Sequence, residues 1–100
     1  MKHLRVYQLA VKFHRSVQTL AIKGELRDQL HRASMSIVLN IAEACGKPTR
    51  KDRTRFLNIA MGSLRETQAL LEILEDAALI KLSDHLGALL YKFTLNSGGS

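Results

Sequence analysis

The run Ala44-Cys45-Gly46-Lys47-Pro48-Thr49-Arg50-Lys51-Asp52 reads as the end of one helix and the start of the next. Gly46 is placed to close a helix in a left-handed conformation, and Pro48, with no N–H and a fixed φ, cannot carry that helix on. Thr49 followed by Asp52 resembles a capping box in which Asp replaces Glu. On both sides apolar residues recur at three- and four-residue spacing. Leu26, Leu30, Ala33, Ile37, Ile41 and Ala44 come before the break, and Leu57, Ala60, Leu64, Leu71, Leu74 and Ala78 after it. Two helices joined by so short a connection must fold back on each other.

The same spacing extends outward. Val6, Ala10, Phe13, Val17 and Leu20 mark a helix before Gly24, and Leu82, Leu86, Leu89 and Phe93 mark another after Lys81-Leu82-Ser83. Ser83-Asp84 is a second candidate helix start. The spacing therefore predicts helices near 3–23, 25–46, 49–80 and 83–95. The expected fold is all-α, an antiparallel up-and-down four-helix bundle with a short fourth helix, occupying 1–95 and followed by a flexible tail over 96–100.

A chain of 100 residues, 46% apolar and 24% charged, has room for one globular domain. No apolar run approaches the roughly 18 residues that a membrane helix needs. Basic residues interrupt the apolar positions of the amino end, so it does not read as a signal peptide. One cysteine, Cys45, leaves no internal disulfide, and a reducing cytoplasm is the expected compartment.

Charge is more informative. The net charge is +6, and it is unevenly spread. Residues 1–23 carry five cations and no acid, and residues 47–55 carry five cations against Asp52. Residues 56–80 hold only Arg65 against Glu66, Glu72, Glu75 and Asp76. On a helical wheel the five cations of the first helix fall within an arc of about 140°. The Val6–Leu20 stripe flanks that arc on one side. Leu4, Val11 and Ile22, with Tyr7 nearby, form a second stripe that fills either a broad core face or a subunit interface.

The Lys47–Arg55 block stands out because Arg50, Lys51 and Arg53 occupy the first turn of a helix. The macrodipole disfavours exposed cations there by about 0.3–1 kcal/mol each. A basic helix start with free backbone N–H groups suits a phosphate. A solvated face and a contact to an acidic protein surface are the competing readings. Aromatic residues are scarce and sit at core-like positions, so base stacking has little to work with.

Other conspicuous residues read as structural. Asn40 and Glu43 share a helix side, where a buried carboxylate would pair with Arg32, Arg55 or Arg65. Gly62 suggests close approach of helices near Ser63, and Cys45 a small packed hydrophobe. The four histidines share no metal-ligand spacing. No phosphate loop, nucleophile elbow or acidic metal cluster is present. No catalytic residue, metal or cofactor is therefore expected, and the chain does not read as an enzyme.

Two segments carry a resemblance. Gln29-Leu30-His31-Arg32-Ala33 with Ser36-Ile37-Val38-Leu39-Asn40-Ile41-Ala42-Glu43, and Arg55-Phe56-Leu57-Asn58-Ile59-Ala60-Met61-Gly62-Ser63-Leu64-Arg65-Glu66, are similar to the small four-helix-bundle family of the ribosomal RNA intervening-sequence proteins. The accessory variability determinant of diversity-generating retroelements belongs to the same family. The resemblance runs from about Leu4 to Ile80. It implies a homopentameric ring and, in the retroelement branch, a basic surface that binds nucleic acid and a reverse transcriptase. Three features depart from the family pattern: Ala44 stands where Gly is usual, the linker around Lys23-Gly24-Glu25 is short, and the fourth helix is expected to be truncated.

Taken together, the expected function is a non-catalytic, oligomeric accessory protein that binds structured RNA or an RNA–DNA hybrid through its phosphate backbone. Lys12, Arg15, Lys47, Arg50, Lys51 and Arg53 are the candidate contacts. The alternative is a scaffold of the intervening-sequence type that binds only a protein partner.

Overall fold

A computed structural model describes residues 2–98, with side chains from Leu4 to Asn96. It contains four helices: α1 (Lys2–Gln18), α2 (Gly24–Cys45), α3 (Arg50–Leu74) and α4 (Ala77–Gly98). Each packs on its neighbours in the order α1, α2, α3, α4 and back to α1, while α1/α3 and α2/α4 face each other diagonally, with no Cα atoms within 8 Å. The result is an up-and-down four-helix bundle, 42 Å long and about 20 Å across. That length is what a helix of 25 residues requires, at about 1.5 Å per residue.

The apolar periodicity becomes the core. Phe13, Leu30, Ile37, Ile41, Leu57, Leu64, Leu71, Leu86 and Leu90 are fully buried, one row from each helix. The second stripe of α1 divides. Tyr7, Val11 and Ile22 pack half-buried against the core of their own bundle, and Leu4 is exposed. The broad-core reading therefore accounts for most of that stripe within one protomer.

Several helix ends differ from the sequence expectation. The α2–α3 turn lies where Gly46-Lys47-Pro48 put it, and Thr49 Oγ1 accepts from the Asp52 N–H at 3.2 Å as the cap. Gly46, however, is right-handed (φ −89°) and closes α2 with 3.1 and 3.2 Å bonds from the Gly46 and Lys47 amides to Glu43 and Ala44. Positive φ occurs instead at Gly24 and at Glu75. α3 stops at Leu74, not near residue 80, because Glu75 adopts φ 56°, ψ 36°. The Asp76 amide bonds to the Leu71 carbonyl and the Glu75 amide to Glu72, a Schellman closure built without glycine.

Asp76 then caps α4, its Oδ1 accepting from the Leu79 amide at 3.0 Å. The fourth helix is therefore not short but 22 residues long, starting at Ala77 instead of Ser83. Ser83 is buried inside α4, donating to the Ile80 carbonyl at 2.6 Å and accepting from Gln68 on α3. Residues 96–98 of the expected tail continue α4, and 99–100 lie outside the described residues. The first linker spans five residues, 19–23, because α1 ends at Gln18. The linker and the fourth helix are thus both longer than the sequence spacing predicts.

Gly62 does not mark close approach within the protomer, since a Cβ there would meet nothing within 4 Å. The tight contact is at Gly87 on α4, where a Cβ would sit 3.2 Å from Leu64 Cδ2.

A left-handed Glu costs about 1 kcal/mol relative to Gly. Glu75→Gly should therefore raise the unfolding free energy by about 1 kcal/mol. Asp76→Ala should lower it by about 1 kcal/mol, through loss of the cap. Urea denaturation of the two variants against the parent measures both.

Candidate nucleic-acid interface

The up-and-down order places the α2–α3 turn at the same end of the bundle as the start of α1 and the end of α4. Lys47, Arg50, Lys51, Arg53 and Arg55 at the turn are thereby joined by Arg5 and Lys92, with Glu43 and Asp52 as the acids at that end. The opposite end carries Glu25, Asp28, Glu72, Glu75 and Asp76 against Lys23, Arg27 and Lys81. The bundle is basic at one end and acidic at the other. The sequence shows both charge blocks, but the antiparallel path is what separates them by the length of the molecule.

Within the basic turn the cations do different things. Arg53 is half-buried and its guanidinium donates to the Lys47 and Pro48 carbonyls at 3.3 and 3.0 Å, tying the turn together. Lys47 pairs with Glu43 at 3.5 Å and lies 5.2 Å above the Phe56 ring. Arg55 stacks over the same ring at 5.8 Å. Arg50 and Lys51 are exposed and have no carboxylate partner among the described residues. Lys12 and Arg15 do not join them. They are exposed on α1, the helix diagonal to α3. The six candidate residues therefore form two separate groups.

The Asn40–Glu43 pair also resolves differently from expectation. Glu43 is exposed and meets Lys47, whereas half-buried Asn40 donates to the Ser36 carbonyl and hydroxyl at 2.8 and 3.1 Å. Ser36 Oγ in turn lies 2.7 Å from Ser63 Oγ on α3. Above this, Arg32 pairs with Glu66 across the same seam. Cys45 is exposed instead of packed, and partial desolvation pushes its thiol pKa up, away from thiolate chemistry.

A polar group that spacing did not reveal is the α1–α2 cluster of His14, Ser34 and His31. His14 is 7% exposed, and its Nδ1 lies 2.6 Å from Ser34 Oγ. The His14 and His31 rings meet edge to face at 6.4 Å. Neither Nε2 has a hydrogen-bond partner among the described residues. Desolvation first, and then the neighbouring His31, lower the His14 pKa. The ring is held neutral by its surroundings. No group of three or more potential metal ligands occurs among the described residues.

A model of the 23S rRNA-intervening sequence proteins matches residues 2–92. The chain belongs to that family. Its fold is also that of a crystal structure of a protein of unknown function from the S23 ribosomal protein family of Bacteroides thetaiotaomicron. The two superpose with a TM-score of 0.86 at 24% identity, over 94% of this chain and 98% of the other. No curated protein matches it. No helix among the described residues is long and apolar enough to cross a membrane.

Because the folded-state pKa of His14 lies below the unfolded value of 6.5, unfolded chains bind more protons as pH falls through that range. Stability contributed by the neutral ring is complete above pH 6.5 and is lost progressively below it. Melting temperature should fall between pH 7.5 and 5, and His14→Gln should flatten that slope. An unchanged slope in the variant would show that His14 is not the titrating group.

Proposed function

We propose that this member of the intervening-sequence family is a non-catalytic, oligomeric accessory protein that binds the phosphate backbone of structured RNA or an RNA–DNA hybrid. The observation that carries the reading is the exposed, unpaired state of Arg50 and Lys51 at the first turn of α3. Cations at a helix start oppose the macrodipole, so they lower the stability of the isolated protein unless an anion joins them. Lys47 and Arg53 are partly engaged in holding the turn, and they add positive potential without being freely available. Arg5 and Lys92 extend the basic end across the bundle. Lys12 and Arg15, far from the turn, contribute only to the long-range field.

Assembly strengthens the case. Each copy brings +6, so a five-membered ring of the kind the resemblance implies would carry about +30 and bind a polyanion multivalently. Few aromatics are exposed, so binding should position a backbone without reading bases. In a retroelement setting a reverse transcriptase would be the natural protein partner. The competing scaffold reading keeps the basic end for an acidic protein. A reverse transcriptase gene and template repeat next to the coding sequence favour the first setting, and a position inside a ribosomal RNA gene favours the intervening-sequence setting.

Arg50→Gln/Lys51→Gln should weaken binding to a structured RNA about tenfold at 50 mM salt. It should also reduce the slope of log affinity against log salt by about one to two phosphate contacts per protomer. Arg53→Gln should instead cost about 1 kcal/mol of stability, because it frees two turn carbonyls. Filter binding across 50–200 mM salt, with thermal denaturation alongside, separates the two effects. Parent-like binding by the double variant at every salt concentration would mean the basic turn is only a solvated surface.

A further inference from the structure

Tyr91 is the one aromatic side chain that the bundle leaves outside. Phe13 is buried, Tyr7, Phe56 and Phe93 are half-buried against the core, and Tyr91 is 59% exposed. Among the described residues no hydrogen bond, ion pair or ring contact holds it. One turn further along α4, Leu95 is 53% exposed. The flat faces of the Tyr91 ring are therefore free for a planar partner.

Its place on the bundle follows from the α3·α4 contacts. Asp84 accepts from Gln68 at 3.2 Å and Gly87 lies against Leu64, so both mark the side of α4 that meets α3. At 100° per residue Tyr91 lies about 20° from Asp84 and about 40° from Gly87 around the helix, on that same side. In this antiparallel register Tyr91 stands level with Ala60 and Met61, and Leu95 with Phe56 and Leu57.

On α3, Lys51, Asn58 and Arg65 recur every seven residues and are all exposed, so they form one line along the outside. Arg65 lies about 60° around the helix from Gln68, which meets α4, and about 160° from Ser63, which meets α2. The line therefore borders the α3·α4 seam. Lys51 and Arg65 have no carboxylate partner among the described residues. They are about 21 Å apart along the axis, and Tyr91 stands between their levels. The acids of this side, Glu72 and Asp84, lie beyond Arg65 toward the acidic end.

We propose that this strip takes an unpaired stretch of nucleic acid, with phosphates on Lys51 and Arg65 and a base stacked on Tyr91. The inference rests on the proposed backbone binding and adds a single-stranded segment to it. Cations that track a backbone beside an exposed aromatic ring are the two elements that single-strand binding needs. Leu95 widens the apolar platform toward Lys51. A duplex offers the same phosphates but keeps its base faces covered, and an acidic peptide meets the cations without using a flat ring between them. Every base has a π-face, so the stack adds affinity without reading sequence.

A twelve-nucleotide oligouridylate and a twelve-base-pair RNA duplex separate stacking from phosphate contact. The parent should bind both at 50 mM salt. Tyr91→Ala should weaken the single strand about tenfold with its salt slope unchanged, and leave the duplex within about twofold. Tyr91→Phe keeps the ring and should bind like the parent, whereas Tyr91→Leu keeps only apolar bulk and should bind like Tyr91→Ala. Arg65→Gln should instead lower the salt slope for the single strand by about one contact per protomer. Both positions are exposed, so urea denaturation of every variant should match the parent. Unchanged single-strand affinity in Tyr91→Ala, equal weakening of both probes, or a Tyr91→Phe variant as weak as Tyr91→Ala overturns the stacking site. A parent that binds neither probe sinks the proposed function and this inference together. A parent that loses both probes through Arg50→Gln/Lys51→Gln but is indifferent to Tyr91→Ala sinks this inference alone.

Discussion

The hydroxyl contact between Ser36 and Ser63 sets the level of α2 against α3, and with it the height of each group on the outside of the bundle. Apolar packing alone would leave this register soft, since leucine rows tolerate sliding at modest cost. A part-buried hydroxyl pair resists it, because displacement by one turn breaks the Ser36–Ser63 bond. Asn40 reinforces the contact from α2 and Thr67 from α3, bonding at 2.7 Å to the Ser63 carbonyl. The Asn-Ile-Ala-Glu and Gly-Ser-Leu segments that carry the family resemblance meet at this point. Their contact ties α2 to α3 at this level.

From that register the charge distribution acquires a direction. Antiparallel helices of nearly equal length bring the first and last residues of the bundle beside the α2–α3 turn. Cations distant in sequence thereby gather at one end, and the acids of the α3–α4 connection at the other. Arg50 and Lys51 stay exposed at the basic end, with no carboxylate partner among the described residues.

The apolar spacing of a helix says which side is buried and says little about where the helix stops. Helix existence and class were therefore legible from the chain, and the α2–α3 boundary was too, because Pro48 and Thr49 act locally. The α3–α4 boundary was not. Glu75 enters the left-handed region with no glycine to announce it, and the Asp76 cap was overshadowed by the equally cap-like Ser83-Asp84. Ser83 satisfies its hydroxyl inside α4 instead, bonding back along the helix and across to Gln68.

What the sequence determined by itself is whatever depends on neighbours within a few residues: four amphipathic helices, the tight central turn, and the basic block at its far side. Tertiary structure decided everything that depends on which helices face each other. It placed Lys12 and Arg15 on the helix diagonal to α3, apart from the basic turn. It turned Glu43 outward to Lys47, left Gly62 open, and brought His14 and His31 together across seventeen positions of sequence. The reason is geometric. Periodicity along one helix defines its own inward direction, but pairing between helices is set by turn handedness and by long-range polar contacts, which no local pattern encodes.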